Sequence, residues 1–179
     1  MTRIRKENDG SVRVLAPAKI NLFLHVVGRR PNGFHELESL FAFTKTGDEI
    51  RLSKSDQLAL TVLGPQADAL GKAGAGRELD NLVCRAALLL AEKVNRDPIV
   101  HIELTKNLPV ASGIGGGSAD AAATLLGLVE LWQLTIRNDE LMKIALDLGA
   151  DVPACIHSRP LYVMGIGESF VGRRVPKSY

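Results

Sequence analysis

The stretch Leu108–Asp120, with the sequence LPVASGIGGGSAD, has four glycines between a segment with strand-like alternation and a strongly helical one. Glycine allows backbone conformations that a Cβ forbids and lets backbone N–H groups come close to a ligand. A helix that begins near Ser118 would direct its unpaired N–H groups and the positive end of its dipole at an anion. This arrangement predicts a phosphate-binding loop, with a plain flexible turn as the simpler alternative.

The spacing of the glycines fits neither of two common phosphate-binding motifs. A P-loop ends in Gly-Lys-Ser/Thr, whereas Gly116 and Gly117 are followed directly by Ser118 without a lysine. The dinucleotide-binding fingerprint requires Gly or Ala where Ser118 stands. The predicted loop therefore belongs to another class of phosphate site.

Composition limits the class of protein. The chain has 179 residues, of which 46% are hydrophobic, so it can form a well-packed core. Its net charge of +2 favours neither a nucleic acid nor an anionic membrane as partner. Without a signal-peptide pattern or an apolar run of about 18 residues, we expect a cytoplasmic protein. Cys84 and Cys155 lack the spacing of a metal or redox site, so we expect both to be buried and reduced.

Periodicity predicts strands alternating with helices. Every even position from Val12 to Val26 is apolar, which indicates a strand with one face on the core and with Lys19, Asn21 and His25 on the other face. We expect further strands over 38–43, 48–52, 58–63, 99–105 and 161–164. We expect helices over 82–94, capped by residue 80 or 81, over 119–134, and over 139–148, the last opened by Asn138 and closed by Gly149 as a C′ residue.

Three polar side chains stand where chemistry is plausible. The Lys19 ammonium, in mid-strand among apolar neighbours, is costly to bury unless a carboxylate or phosphate offsets the loss of water, but an edge lysine that reaches water fits equally well. Asp151 follows a helix and precedes Val152-Pro153, so it is a candidate general base or a turn-stabilising residue. His35 can read the edge of a nucleobase on which Phe34 stacks, or it is an ordinary surface histidine.

Taken together, three segments resemble the GHMP superfamily of small-molecule kinases. They are residues 16–41 (APAKINLFLHVVGRRPNGFHELESLF), 108–126 (LPVASGIGGGSADAAATLL) and 148–156 (LGADVPACI). The resemblance implies a two-layer α+β domain over residues 12–168, related to a ribosomal-protein-like fold, with a mixed, largely antiparallel sheet covered by helices. We expect residues 1–11 to be flexible and residues 169–179 to form an irregular tail, with the family's C-terminal domain absent.

The resemblance also implies roles for individual residues. Asp151 matches the family's catalytic base, and Lys19 matches the lysine that pairs with it. Asp120 is expected only to shape the loop. Asn21, Phe34 and His35 match residues beside the substrate, with His35 at the cytosine edge and Phe34 stacked on the ring. Ser118 is a weaker candidate for a Mg²⁺ contact. The residues expected to bind ATP are Asn81, Pro109, Val110, Ala111, Ser112, Gly113, Ile114, Gly115, Gly116, Gly117, Ser118 and Ala119.

The implied reaction transfers phosphate from ATP, with Mg²⁺, to the 2-hydroxyl of a methylerythritol unit that carries a cytidine diphosphate group, in non-mevalonate isoprenoid precursor biosynthesis. The expected partner is this small molecule, without nucleic acid or membrane, and the oligomeric state is open. A mevalonate- or homoserine-type kinase is disfavoured, because those substrates carry no base for Phe34 and His35. A truncated nucleotide-binding module without catalytic activity is the alternative of a different class, and RNA binding is poorly supported by the net charge.

Overall fold

A computed structural model describes residues 4–29, 33, 35–74, 80–165 and 169–172, which form one seven-stranded sheet and five helices. The strands are β1 (Ile4–Lys6), β2 (Val12–Arg29), β3 (His35–Ser53), β4 (Ala59–Leu63), β5 (His101–Thr105), β6 (Leu161–Gly165) and β7 (Ser169–Gly172). The helices are α1 (Ala67–Gly74), α2 (Leu82–Lys93), α3 (Gly116–Leu131), α4 (Asn138–Leu148) and α5 (Val152–His157). None of these helices is long and apolar enough to cross a membrane.

The sheet is mixed and largely antiparallel, which confirms the predicted architecture. Its main order is β1-β2-β3-β5-β4, and only the β4–β5 pair is parallel. The strand β3 was predicted as two short strands but is continuous, because its middle remains extended against β2, with Gly47 opposite Pro17. Its first part pairs with β6 and its last part with β5, so β3 joins the two ends of the sheet.

The helix α3 packs closely on the centre of the sheet. Gly127 faces β2 and β3, and a Cβ at this position would lie 2.6 Å from Leu52 Cδ1 and 3.0 Å from Val14 Cγ2. The missing side chain therefore lets the helix approach the strands. The core formed between helices and sheet includes the fully buried residues Val12, Val14, Ile50, Leu52, Val83, Leu90, Val100, Ile102, Leu125 and Leu128.

Register shifts in β2 change which side chains face the core. The pairing with β3 is interrupted between Pro17 and Lys19 and again between Asn21 and Phe23. At the first interruption one residue of β2, Ala18, stands against three residues of β3 (44–46), and beyond this irregularity Lys19 is buried as Ala16 is before it. Lys19 is accordingly only 5% exposed. The prediction that it lies opposite the core-facing apolar residues is wrong for this reason.

The second half of β2 carries an exposed apolar strip, which we define as Ile20, Leu22, Leu24, Val26 and Val27. These side chains are 42% to 63% exposed and belong to neither of the buried clusters of the described residues. The predicted burial of the even positions therefore holds only to Ala18. Within the described residues, β1 pairs only with Val12–Val14, so no strand lies beside the rest of that edge of β2.

The ends of several elements differ from the predictions. Residues 4–6, expected to be flexible, form β1, because a turn at Gly10 with a φ of +80° brings them back against β2. Residues 169–172, expected to be irregular, pair with β6 as β7, whereas residues 173–179 lie outside the described part. Gly149 ends α4 with a φ of 163°, which is extended rather than left-handed backbone. The short helix α5 was not predicted.

Candidate active site

An ion pair between Lys19 and Asp151 forms the centre of the candidate site. The Lys19 Nζ lies 2.9 Å from Asp151 Oδ2 and 4.1 Å from the centroid of the Phe41 ring. The lysine side chain is 6% exposed, whereas the aspartate side chain is 39% exposed. The ammonium is thus shielded by protein while the carboxylate can reach a molecule in solution, which is the exposure that a proton acceptor needs.

Asp151 is directed at Lys19 by the start of a helix. It stands at the N-cap of α5, and Pro153 in the first turn suits that position because proline lacks an N–H that would need an acceptor. The Asp151 side chain makes no capping hydrogen bond. Its backbone carbonyl instead accepts from Cys155 N at 3.1 Å. The carboxylate is therefore available to Lys19 and to a ligand.

The glycine-rich segment lies directly against Lys19. The Lys19 backbone N–H donates to Ile114 O at 2.9 Å. Gly115 has a φ of +67°, and a Cβ at this position would lie 3.2 Å from both Cβ and Cε of Lys19. Glycine is therefore required at position 115 both by its backbone conformation and by the close approach to the lysine. The contact brings the loop to the Lys19–Asp151 pair.

The helix α3 begins earlier than predicted. Its first residue is Gly116, and the Ala119 N–H closes the first turn on Gly115 O at 2.9 Å. The N–H groups without an acceptor inside the helix are thus those of Gly116, Gly117 and Ser118. Two of the four glycines belong to the helix rather than to the loop, so the end of the helix itself offers the donors for an anion.

The structure describes most of the other predicted site residues. Asn21 is exposed and lies opposite Phe41 in the sheet, two residues after Lys19. The Asn81 Oδ1 accepts from Val83 N at 3.1 Å, so Asn81 caps α2, as one of the two cap residues expected. Of His35 only the backbone at the start of β3 is described, and Phe34 lies outside the described residues. Among the residues from 109 to 119, Ser112 Oγ donates to Pro109 O at 2.8 Å.

A buried charged cluster beneath the loop was missed by the sequence analysis. The Lys106 Nζ contacts Asp48 Oδ2 and lies 2.7 Å from Asp120 Oδ2, and all three residues are at most 3% exposed. We call these three residues the Lys106 cluster. The period-two pattern could have shown it, because Lys106 continues the buried face of Ile102 and Leu104.

The ionisable groups of the Lys106 cluster affect one another's pKa values. Burial raises the pKa of Asp120 to about 8, although Lys106 opposes the shift. Burial alone would lower the pKa of Lys106, but the two carboxylates outweigh it and raise this pKa above its usual value. Asp120 therefore holds its proton to a higher pH than an ordinary aspartate does, while Lys106 stays an ammonium. Asp120 is thus more than the loop-shaping residue that we expected.

The cysteines and the acidic residues limit other kinds of chemistry. Cys84 and Cys155 are both buried, as predicted. Burial, followed by the nearby Asp151 carboxylate, raises the pKa of the Cys155 thiol to about 12, so it is not a nucleophile at neutral pH. Within the described residues, no group of three or more His, Cys, Asp and Glu side chains could hold a metal ion.

Known proteins share this arrangement of strands, helices and loop. Residues 81–159, which include the glycine-rich segment and Asp151, match the family described as GHMP kinases N terminal domain. A crystal structure of 4-(cytidine 5'-diphospho)-2C-methyl-D-erythritol kinase has the same fold, with a TM-score of 0.77 and 35% identity over 92% of this chain and 56% of that one. Residues 81–159 of the chain thus belong to a GHMP kinase N-terminal domain. A homoserine kinase from Cytophaga hutchinsonii, at 21% identity and a TM-score of 0.66, shares the fold of this domain.

Two curated relatives of this chain are both named 4-diphosphocytidyl-2-C-methyl-D-erythritol kinase. A 4-diphosphocytidyl-2-C-methyl-D-erythritol kinase from Paramagnetospirillum magneticum is 47% identical over 88% of this chain and 53% of its own length. The corresponding protein from Agrobacterium fabrum is 52% identical over 86% of this chain and 52% of its own length. The chain thus spans about half the length of the curated relatives it matches.

Proposed function

We propose that this GHMP kinase domain takes part in the ATP-dependent phosphorylation of the 2-hydroxyl of 4-diphosphocytidyl-2-C-methyl-D-erythritol. The observation that carries the proposal is the 2.9 Å contact between Lys19 Nζ and Asp151 Oδ2, next to the loop that Lys19 holds through Ile114 O. A base and an anion-binding loop are the two parts that phosphoryl transfer to an alcohol needs side by side. The substrate follows from the names of the relatives.

In this proposal Asp151 accepts the proton of the substrate hydroxyl. As the hydroxyl oxygen attacks the γ-phosphorus, its proton passes to the carboxylate, and the bond from the γ-phosphorus to the bridging oxygen of ADP breaks. The buried Lys19 ammonium, 2.9 Å from Asp151 Oδ2, orients the carboxylate. A general base contributes about 10²- to 10⁴-fold to such a step, and correct positioning contributes more.

ATP would bind with its phosphates at the start of α3. The N–H groups of Gly116, Gly117 and Ser118 point out of the helix end, and the helix dipole favours an anion there. Ser118 is half-buried in this turn and would offer its hydroxyl to Mg²⁺. One hydroxyl without an acidic cage suits Mg²⁺, which keeps its waters and is held largely by substrate phosphates. Bound there, Mg²⁺ would offset charge on the phosphate oxygens.

The acceptor would lie along β2 and the start of β3. Asn21 is exposed and lies two residues beyond Lys19 on the same strand. Phe34 and His35 stay candidates for the cytosine ring, which they would stack on and hydrogen-bond. A mevalonate- or homoserine-type substrate would leave these two side chains without a base to bind.

An ADP-release assay with ATP, Mg²⁺ and 4-diphosphocytidyl-2-C-methyl-D-erythritol tests the proposal. Asp151→Asn keeps the shape of the side chain but removes its basicity, so we expect turnover to fall about 10²- to 10⁴-fold. Asp147→Asn is the matched control, because Asp147 is exposed on α4 and the charge change is the same. Undiminished turnover in the Asp151→Asn protein would show that this residue is not the base.

Calorimetry, together with the ADP-release assay, distinguishes a kinase from a nucleotide-binding module without catalytic activity. ATP binding by the folded protein together with turnover supports the kinase, and mevalonate or homoserine as the better acceptor would reassign its substrate. ATP binding without turnover under the same conditions would instead assign a nucleotide-binding module. A folded chain that binds neither ATP nor the cytidine compound would contradict both functions.

A further inference from the structure

The Lys106 cluster joins both ends of the glycine-rich segment. At the entrance, Asp48 Oδ1 accepts from the backbone N–H groups of Asn107 at 2.6 Å and Leu108 at 2.8 Å. At the exit, Asp120 belongs to α3, the helix into which the segment leads. Since the carboxylates of Asp48 and Asp120 both contact Lys106 Nζ, one ammonium connects the segment's entrance to its exit.

The same ammonium lies directly beneath the first turn of α3. A Cβ at Gly116 would lie 3.2 Å from Lys106 Nζ and 3.7 Å from Asp48 Oδ2. The charged group therefore lies next to the backbone of the residue that begins the helix. The ammonium occupies the space beneath the turn whose N–H groups the proposed function assigns to the phosphates.

The cluster is also tightly constrained. The Lys106 side chain is 4% exposed, and the side chains of Asp48 and Asp120 are 0% and 4% exposed. Buried charges keep their places only when their partners are well aligned, because each lost contact leaves a group without solvent. Asp120 Oδ1 is buried without a hydrogen-bond partner among the described residues, so Asp120 depends on Lys106 for its polar contact through Oδ2.

From this geometry we propose that Lys106 is a positioning residue for the nucleotide: held by Asp48 and Asp120, its ammonium fixes the direction of the N–H groups at Gly116, Gly117 and Ser118. The nucleotide part of this inference rests on the proposed function. The Lys106 side chain is buried against Asp48 and Asp120, so it acts through the loop above it. Lys106 thus supports the glycine-rich loop from below, although the loop itself contains no lysine.

The experiment compares Lys106→Met with Val100→Ala, a stability control from the region just before β5. Val100 is fully buried in the core, so both variants lose stability, but only the first disturbs the loop. We expect Lys106→Met to raise the Kd for ATP about tenfold in the folded protein, while Val100→Ala leaves it unchanged. Hydrogen exchange without nucleotide should quicken at the amides of Leu108 and Ala119 in Lys106→Met alone.

A double variant keeps the test decisive if Lys106→Met fails to fold. Lys106→Met with Asp48→Asn removes the unpaired charge, and the amide oxygen can still accept from Asn107 and Leu108. We expect stability to recover while ATP affinity stays low. Wild-type affinity in a folded variant that lacks Lys106, or equal exchange in the loop, would overturn the inference. A wild-type chain that does not bind ATP would overturn the proposed function, whereas the exchange at Leu108 and Ala119 still decides whether Lys106 positions the loop.

Discussion

Lys19 contacts Asp151 through its side chain and Ile114 through its backbone, so one residue joins the candidate base to the glycine-rich loop. The two contacts are independent, because the backbone N–H does not depend on the side chain. Each can therefore be tested without the other.

Replacing the Lys19 side chain should affect the reaction more than the loop. In Lys19→Met the ammonium is lost but the N–H donor to Ile114 O remains, so we expect ADP release to fall about 10²-fold or more while ATP affinity changes little. Steady-state kinetics and calorimetry measure the two effects. A loss of ATP affinity as large as the loss of turnover would show that the side chain supports nucleotide binding instead.

Asp120 should make the protein less stable as the pH rises. Its pKa is about 8 in the folded protein, mainly because of burial, against an ordinary value of 3.8. Between these values the folded state holds a proton that the unfolded state has lost. The free energy of unfolding should therefore decrease with pH, by up to about 1.4 kcal/mol per pH unit, and this contribution should be complete below the lower value.

Urea denaturation at several pH values between 4 and 8 checks this expectation, with Asp120→Asn as the control. Asparagine does not titrate, so the variant should lose less stability over this range than the wild type. Parallel pH profiles for the two proteins would show that Asp120 is ionised throughout and that its pKa is not raised by burial.

Gly47 should tolerate no side chain. A Cβ at this position would lie 2.0 Å from the carbonyl oxygen of Ala16, and backbone atoms in a central strand pair cannot move aside. We expect Gly47→Ala to lower the free energy of unfolding by about 3 kcal/mol or more. Gly117→Ala is the control, because a Cβ there meets nothing within 4 Å and alanine favours a helix by up to about 1 kcal/mol. Equal urea midpoints for the two variants would contradict the expectation that the backbone around Gly47 leaves no room for a side chain.

The exposed apolar strip should cause self-association. Leu24 and Val26 are 53% and 63% exposed near an edge of β2 that no described strand covers, and such edges favour contact between chains. We expect Leu24→Lys with Val26→Lys to reduce association in light scattering and to change stability by no more than about 0.5 kcal/mol. Leu146→Lys, on the exposed side of α4, should leave association unchanged. Equal scattering from all three proteins would count against the strip as the contact surface.

The fold, and the contact between Lys19 and Asp151, could largely be anticipated from the sequence. Alternation and glycine spacing indicated the strands and the loop, and the family resemblance singled out Lys19 and Asp151. The side on which Lys19 lies could not be predicted, because it depends on a register shift that alternation alone does not reveal. The contact between Lys106 and Asp48 joins residues 58 positions apart, and only the pairing of β3 with β5 brings them together.

The shift between Pro17 and Lys19 makes the candidate site sensitive to the number of residues as well as to their identity. Removing Ala18 would change this irregular pairing and, because a slip of one residue turns side chains to the other face, would move the Lys19 side chain away from Asp151. Among homologous chains, the segment from 16 to 19 should therefore vary in sequence before it varies in length.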